Sequence, residues 1–140
     1  MASDAAPPIR HATAVEAWQR YDADEARLSA PVSELMLDLA RLQPGSQVLD
    51  IATGRGEPAV RAAHRVAPGG RVVGTDLSGD MLDFARARAT AEAVRNLQLV
   101  ATDGVALAGV PEGAFDAALC RWGLCSSTGR ATRWPRCGAA

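Results

Sequence analysis

The residues best suited to chemistry are a Gly-rich turn and an acid that follows it. Asp50 ends an apolar run in the segment VLDIATGRGEPAV, and Gly54 and Gly56 come shortly after it. Glycine has no Cβ, so it permits unusual backbone angles and the close approach of a ligand. Asp76 ends the next apolar run, roughly 20 residues beyond the glycines, where α/β nucleotide sites place a carboxylate for ribose hydroxyls. This spacing predicts a cofactor that contains adenosine.

The charge of the turn bears on which cofactor this is. The segment GRGEPA matches the G-x-G-x-x-A pattern of dinucleotide sites, but a pyrophosphate needs the positive N-terminus of the next helix. Glu57 places a negative charge there, and Asp50 adds a second. Two carboxylates favour a cationic cofactor such as S-adenosylmethionine, which carries a sulfonium and an ammonium group. An NAD-dependent oxidoreductase is the alternative, because GRGEPA matches the dinucleotide pattern. Glu57 can equally serve as a favourable acid at a helix N-terminus.

These residues require a scaffold of alternating strands and helices. Strands are predicted at QVLDI, RVVGTD, LQLVATD and FDAALC, and helices at EPAVRAAHRVA and SGDMLDFARARATAEAV between the first three. Such alternation predicts an α/β fold with a doubly wound parallel sheet, whose strands are apolar because both faces are covered. Ligands bind at the carboxyl ends of such strands, where the Gly-rich turn lies.

Two helices are predicted before the sheet. The first covers residues 13–21, and the second begins near a Ser29 cap with Pro31 in its first turn. Pro44-Gly45 ends the second helix. Residues 1–12 are rich in alanine and proline, which predicts a disordered N-terminus.

Composition limits the classes of function. The chain has 140 residues, enough for one domain, and its net charge of -1 offers no basic surface for nucleic acid or membrane. The three cysteines have neither zinc-site nor disulfide spacing, so no metal is predicted. No secretory signal or membrane span is evident, which predicts a cytoplasmic protein. Arg55, Arg61, Arg65 and Arg71 are expected to be solvated.

Four segments together resemble a known family. VLDIATGRGEPA resembles the first motif, D-x-x-x-G-x-G, of class I S-adenosylmethionine-dependent methyltransferases, in the small-molecule branch similar to the quinone-biosynthesis C-methyltransferases. VVGTDLSGDML, ATDGVAL and GAFDAALCRWGL resemble the second, third and fourth motifs, in that order. The resemblance, from about Trp18 to Leu124, implies a Rossmann-like fold, S-adenosylmethionine as cofactor and a small-molecule methyl acceptor.

The resemblance also implies residue roles. Asp76 would bind the ribose, Leu77 and Met81 would flank the adenine, and Asp103 would reach the adenine amino group with Gly104 alongside. Methyl transfer is an in-line displacement that mainly needs alignment in a dry pocket. No motif position holds an obvious general base, so no catalytic residue is nominated. The predicted cofactor-binding residues are Asp50, Ala52, Thr53, Gly54, Gly56, Asp76, Leu77, Met81, Asp103, Gly104 and Arg121.

The pattern breaks after Leu124. Residues 125–140 lack the helix that should follow the fourth strand, and a one-base frameshift in the coding sequence would account for this. We therefore expect residues 13–124 to form the N-terminal part of a methyltransferase domain, truncated and of doubtful activity. An inactive cofactor-binding remnant is the further alternative. The unpartnered edge of the fourth strand predicts a chain that is poorly soluble or partly molten.

Overall fold

The computed structural model describes residues 11–123, with side chains from residue 20 onward. Residues 1–10 and the predicted frameshifted tail, 125–140, lie outside this range. The elements are α1 (His11–Leu39), β1 (Gln47–Ile51), α2 (Glu57–Val66), β2 (Arg71–Asp76), α3 (Gly79–Ala91), β3 (Leu97–Ala101) and β4 (Ala117–Leu119). None of the helices in the described part of the chain has the length and apolar character needed to span a membrane.

The four strands form one parallel sheet in the order β3-β2-β1-β4. Val48 of β1 lies opposite Val72 of β2 on one side and Ala117 of β4 on the other. The predicted α/β parallel sheet is confirmed, and β1 and β2 have the predicted bounds. Because β2 and β4 flank β1 on opposite sides, the chain reverses direction across the sheet there. Ligands bind at such switch points.

Helix α1 is one continuous helix, so the prediction of two helices was wrong. Ser29 does not cap a helix; its hydroxyl donates a hydrogen bond of 2.6 Å to the Glu25 carbonyl, one turn earlier. Pro31 lies in the interior, where it lacks the N–H needed for the helical hydrogen bond. Ser33 and Leu37 are fully buried on the packed face of α1. We attribute the continuity of the helix to this packing, which offsets the proline.

Apolar side chains cover both faces of the sheet, as the apolar strands predicted. On one face, Val48 and Val72 pack with Leu37 of α1 and Val66 of α2. On the other face, Leu49, Ile51 and Val73 pack with two residues from the segment between β3 and β4, Leu107 and Phe115. The carboxyl end of β1 is therefore held from both sides, and the Gly-rich turn continues from this fixed point.

Candidate functional site

The turn between β1 and α2 has the backbone of a ligand-binding loop. Ala52, Gly54 and Gly56 have φ angles of 56°, 55° and 78°, in the left-handed region. The Thr53 N–H donates to the Thr75 carbonyl of β2 at 2.8 Å, and the Gly56 N–H donates to the Thr53 carbonyl at 2.8 Å. Hydrogen bonds to its own backbone and to β2 thus hold the turn in place.

Asp50 lies beneath this turn at the carboxyl end of β1, with 1% of its surface exposed. One carboxylate oxygen, Oδ2, accepts a hydrogen bond of 2.6 Å from the Thr53 hydroxyl. The other oxygen, Oδ1, is buried and has no hydrogen-bond partner among the described residues. Burial raises the pKa of Asp50 to about 7, although the Thr53 hydrogen bond and the charge of Arg121 oppose this change. A cationic group bound above the turn would favour the ionised form of Asp50.

Asp76 links the turn to the start of α3. Its Oδ2 accepts from the Gly54 N–H at 2.8 Å, and its Oδ1 accepts from the Ser78 N–H at 2.9 Å. Ser78 in turn caps α3, and its hydroxyl accepts a hydrogen bond from the Met81 N–H. Each carboxylate oxygen can accept a second hydrogen bond, so Asp76 can position the turn and still bind ligand hydroxyls.

A cavity of about 440 Å³ opens over the turn. This volume lies within the range typical of small-molecule sites. Six of the predicted cofactor-binding residues line it: Ala52, Thr53, Gly54, Asp76, Met81 and Arg121. The other lining residues are Glu25, Arg55, Glu57, Pro58, Ser78, Trp122 and Gly123. The structure thus brings together residues from the ends of β1, β2 and β4, with α1 contributing one wall.

The other predicted residues do not line this cavity. Leu77 is 78% exposed. Asp103 closes a turn, and hydrogen bonds from the N–H groups of Ala106 and Val105 lower its pKa. Gly104 lies against β1, where an added Cβ would be 3.0 Å from a methyl carbon of Ile51. Asp50 lies beneath the turn, and Gly56 is the residue before the first turn of α2. The cofactor contacts assigned to these residues stay predictions.

Glu57 is buried and paired with arginines, which changes what its charge indicates about the cofactor. Its Oε2 accepts from the Ser33 hydroxyl at 2.6 Å and forms an ion pair of 2.7 Å with Arg121. Its Oε1 pairs with Arg61. Because two guanidinium groups compensate Glu57, its charge alone does not favour a cationic cofactor. That preference now depends on Asp50, whose buried oxygen is unpaired.

The expectation that four arginines are solvated is confirmed for Arg71, which is exposed, and was wrong for the other three. The Arg55 side chain is only 9% exposed and pairs with Asp22 and, at 2.7 Å, with Glu25. Arg61 and Arg65 are partly buried and both pair with Glu34 of α1. These ion pairs attach α1 to the turn and to α2.

Three residues that shape the site were not predicted from the sequence: Glu25, Ser33 and Arg55. A polar stripe on α1 was the available signal, since Asp22, Glu25, Ser29 and Ser33 recur at spacings of three and four residues. Such a stripe indicates that this helix face packs against polar groups.

Comparison with known proteins agrees with this architecture. A family model described as a methyltransferase domain matches residues 48–134, more than half of the chain. Nocamycin O-methyltransferase of Saccharothrix syringae is 38% identical over 96 residues, which are 69% of this chain and 34% of the relative. Demethylmenaquinone methyltransferase of Thermus thermophilus is 39% identical over 88 residues, which are 63% of this chain and 39% of the relative.

A solved structure shows the same fold. The SAM dependent methyltransferase from Aquifex aeolicus superposes with a TM-score of 0.57 at 22% identity, covering 63% of this chain and 46% of that one. The chain spans about a third to two fifths of the length of the curated relatives it matches. The family match, the parallel sheet order and the Gly-rich turn with its two acids agree with one another. The chain therefore belongs to the methyltransferase domain family, and it has the fold of the SAM dependent methyltransferase from Aquifex aeolicus.

Proposed function

We propose that this chain binds S-adenosylmethionine in the cavity over the Gly-rich turn and presents the methyl group to a small molecule. The observation that carries the proposal is the cavity of about 440 Å³ over this turn, which Thr53, Gly54, Asp76 and Met81 line together. Asp50 lies beneath the turn, and its buried Oδ1 has no partner among the described residues. A ligand with a positively charged end above the turn would favour the ionised form of this carboxyl group.

The lining residues suit the remaining parts of this cofactor. Thr53 and Gly54 line the cavity, and Asp76 lies at the end of β2, where hydroxyls of a ribose would be bound. Met81 offers an apolar, polarizable wall for the adenine. When bound, S-adenosylmethionine supplies an electrophilic methyl group on its sulfonium.

The chain's own contribution is to orient the cofactor and to exclude water. Three acids line the cavity, and each is already engaged: Glu25 and Glu57 with arginines, and Asp76 with backbone N–H groups. None of them is a good general base in this arrangement. We therefore propose that the acceptor provides a nucleophile that is ionised or readily ionised, and that alignment is the main source of rate.

Several observations favour a small acceptor. Both relatives described above carry the name of a small molecule, nocamycin and demethylmenaquinone. The net charge of -1 does not indicate a nucleic-acid-binding protein. An NAD-dependent oxidoreductase is not favoured, since the family match and these relatives are methyltransferases. Because the chain spans only part of its relatives, we propose that it retains cofactor binding and transfers methyl groups weakly.

Transfer of a radiolabelled methyl group from S-adenosylmethionine tests this proposal. The 140-residue chain would be assayed with hydroquinones, phenols, aromatic carboxylic acids and transfer RNA. Slow labelling of one of the small-molecule classes is expected. Labelling of RNA alone would contradict the proposed acceptor class. Cofactor binding without any transfer would instead support the inactive remnant.

A further inference from the structure

Two buried arginines line the cavity and share one acid of α1. Arg55 comes from the Gly-rich turn and Arg121 follows β4, and each side chain is 9% exposed. Glu25 lies between them: its Oε2 is 2.7 Å from Arg55 Nη2, and its Oε1 is 3.0 Å from Arg121 Nη2. One carboxylate therefore bridges two guanidinium groups at the edge of a ligand-sized cavity.

Neither arginine depends on Glu25 alone for charge compensation. Arg55 also pairs with Asp22, and Arg121 forms an ion pair of 2.7 Å with Glu57. Arg121 additionally keeps a buried Nε without a hydrogen-bond partner among the described residues. A guanidinium group offers five N–H donors in a planar fork suited to carboxylates. Arg121 therefore retains donor capacity at the cavity wall.

We propose that Arg55 and Arg121 form a clamp for a ligand carboxylate, and that Glu25 occupies this clamp as an internal carboxylate until a ligand displaces it. The proposal deepens the proposed function and depends on it, because it assigns a ligand group to the same cavity. The carboxylate has two possible sources, the amino-acid end of the cofactor or an acidic methyl acceptor. The chemistry recognised by the clamp is the same in both cases.

Electrostatics makes Glu25 a competitor of such a ligand. A second carboxylate beside Glu25 would meet a like charge in a partly buried site, which is unfavourable. Glu25 can move aside without undocking α1, since Asp22 holds Arg88 at 2.9 Å and Glu34 holds Arg65 at 2.6 Å. Removing the charge of Glu25 should therefore strengthen carboxylate binding.

Calorimetry on the full 140-residue chain tests the clamp with matched probes. S-adenosylmethionine is compared with decarboxylated S-adenosylmethionine, which keeps the sulfonium and the amine. If the cofactor supplies the carboxylate, the Glu25→Gln variant should bind S-adenosylmethionine about tenfold more tightly than the wild type does. This magnitude is the one expected for a charged hydrogen-bond partner. Its affinity for the decarboxylated probe should not change.

The acceptor arm uses benzoate, titrated onto protein saturated with decarboxylated S-adenosylmethionine. If the acceptor supplies the carboxylate, Glu25→Gln should bind benzoate about tenfold more tightly and the two cofactor probes with unchanged affinity. Glu34→Gln is the control, because Glu34 is an ion-paired acid of the same helix that does not line this cavity. The clamp is refuted if Glu25→Gln gains affinity for neither carboxylate, or if Glu34→Gln gains as much.

A second variant keeps the test informative if Glu25→Gln does not fold. Glu25→Asp retains the charge but shortens the side chain, which withdraws the carboxylate from the clamp. We expect Glu25→Asp to bind S-adenosylmethionine or benzoate more tightly than the wild type does, with a smaller gain in affinity than Glu25→Gln. If it binds both with weaker or unchanged affinity, the proposal is overturned. If the wild-type chain binds neither cofactor probe, the proposed function fails, while benzoate titrated alone still tests the clamp.

Discussion

Burial controls the charge of Asp50, because the carboxyl group lies at the end of a central strand and, within residues 11–123, only the Thr53 hydroxyl donates a hydrogen bond to it. Its pKa is about 7 in the folded protein, compared with 3.8 for an ordinary aspartate. The folded state thus binds this proton more tightly than the unfolded state. The corresponding stabilisation is complete below about pH 4 and is lost as the pH rises towards 7.

Replacing Asp50 by asparagine removes this dependence on pH. We expect Asp50→Asn to melt at a higher temperature than the wild type at pH 8, with a much smaller difference at pH 4. One pKa unit corresponds to about 1.4 kcal/mol, so the gain at pH 8 should reach a few kcal/mol. Thermal melts followed by circular dichroism at the two pH values measure it. An equal difference at both values would show that Asp50 does not titrate with a raised pKa.

At the scale of single elements, local sequence predicted the strands well and α1 poorly. The apolar runs of β1 and β2 end at Ile51 and Asp76 as predicted, because a buried parallel strand requires apolar side chains throughout. Ser29 and Pro31 carry the signals of a helix start. Packing on the sheet overrides those signals, and only the tertiary structure contains that information.

Pro31 provides a test of this explanation. If packing holds α1 together across the proline, Pro31→Ala should stabilise the protein by about 1 to 3 kcal/mol, since alanine restores a helical N–H and removes a steric clash. The side chain of Pro31 is exposed, so no core contact is lost. Urea unfolding gives the free energy. A loss of stability would mean that the helix requires the bend imposed by proline.

Close approach between the turn and α3 depends on Gly56. A Cβ at this position would lie 2.9 Å from the Ala85 Cβ, and the φ of 78° disfavours any other residue. We expect Gly56→Ala to cost about 2 to 4 kcal/mol of unfolding free energy, combining backbone strain with overpacking. Gly113→Ala is the matched control, with a φ of 69° and open space around the position. It should cost only about 1 kcal/mol; equal losses would show that Gly56 does not limit the packing of α3.

For the whole molecule, the long-range ion pairs could not be predicted from sequence. Arg121 meets Glu25 and Ser33 from nearly 100 residues away, and nothing local to any of the three indicates the pairing. The Gly-rich turn and Asp76 were predictable because their spacing reflects one strand-turn-helix unit. The Gly-rich turn and Asp76 can therefore be predicted from local sequence, whereas the ion pairs of Arg121 form only once α1 has packed in place.

Exposed apolar side chains along one flank of α1 predict self-association. Leu28, Val32, Leu35 and Leu39 recur every three or four residues and are exposed, and β4 pairs only with β1 among the described residues. Apolar patches and open strand edges promote association. Light scattering after gel filtration should detect oligomers, and Leu35→Lys combined with Leu39→Lys should reduce them without lowering the melting temperature. A monodisperse wild-type monomer with a sharp cooperative melt would contradict this expectation.

Cofactor identity is the central claim, and calorimetry with S-adenosylhomocysteine and with NAD tests it most directly. We expect the 140-residue chain to bind one equivalent of S-adenosylhomocysteine and to show no heat with NAD. Asp76→Ala should weaken this binding at least tenfold, on the order of one charged hydrogen bond. Asp83→Ala, which removes an exposed acid of α3, should leave it unchanged. Binding of NAD alone, or an Asp76→Ala variant with wild-type affinity, would contradict the account.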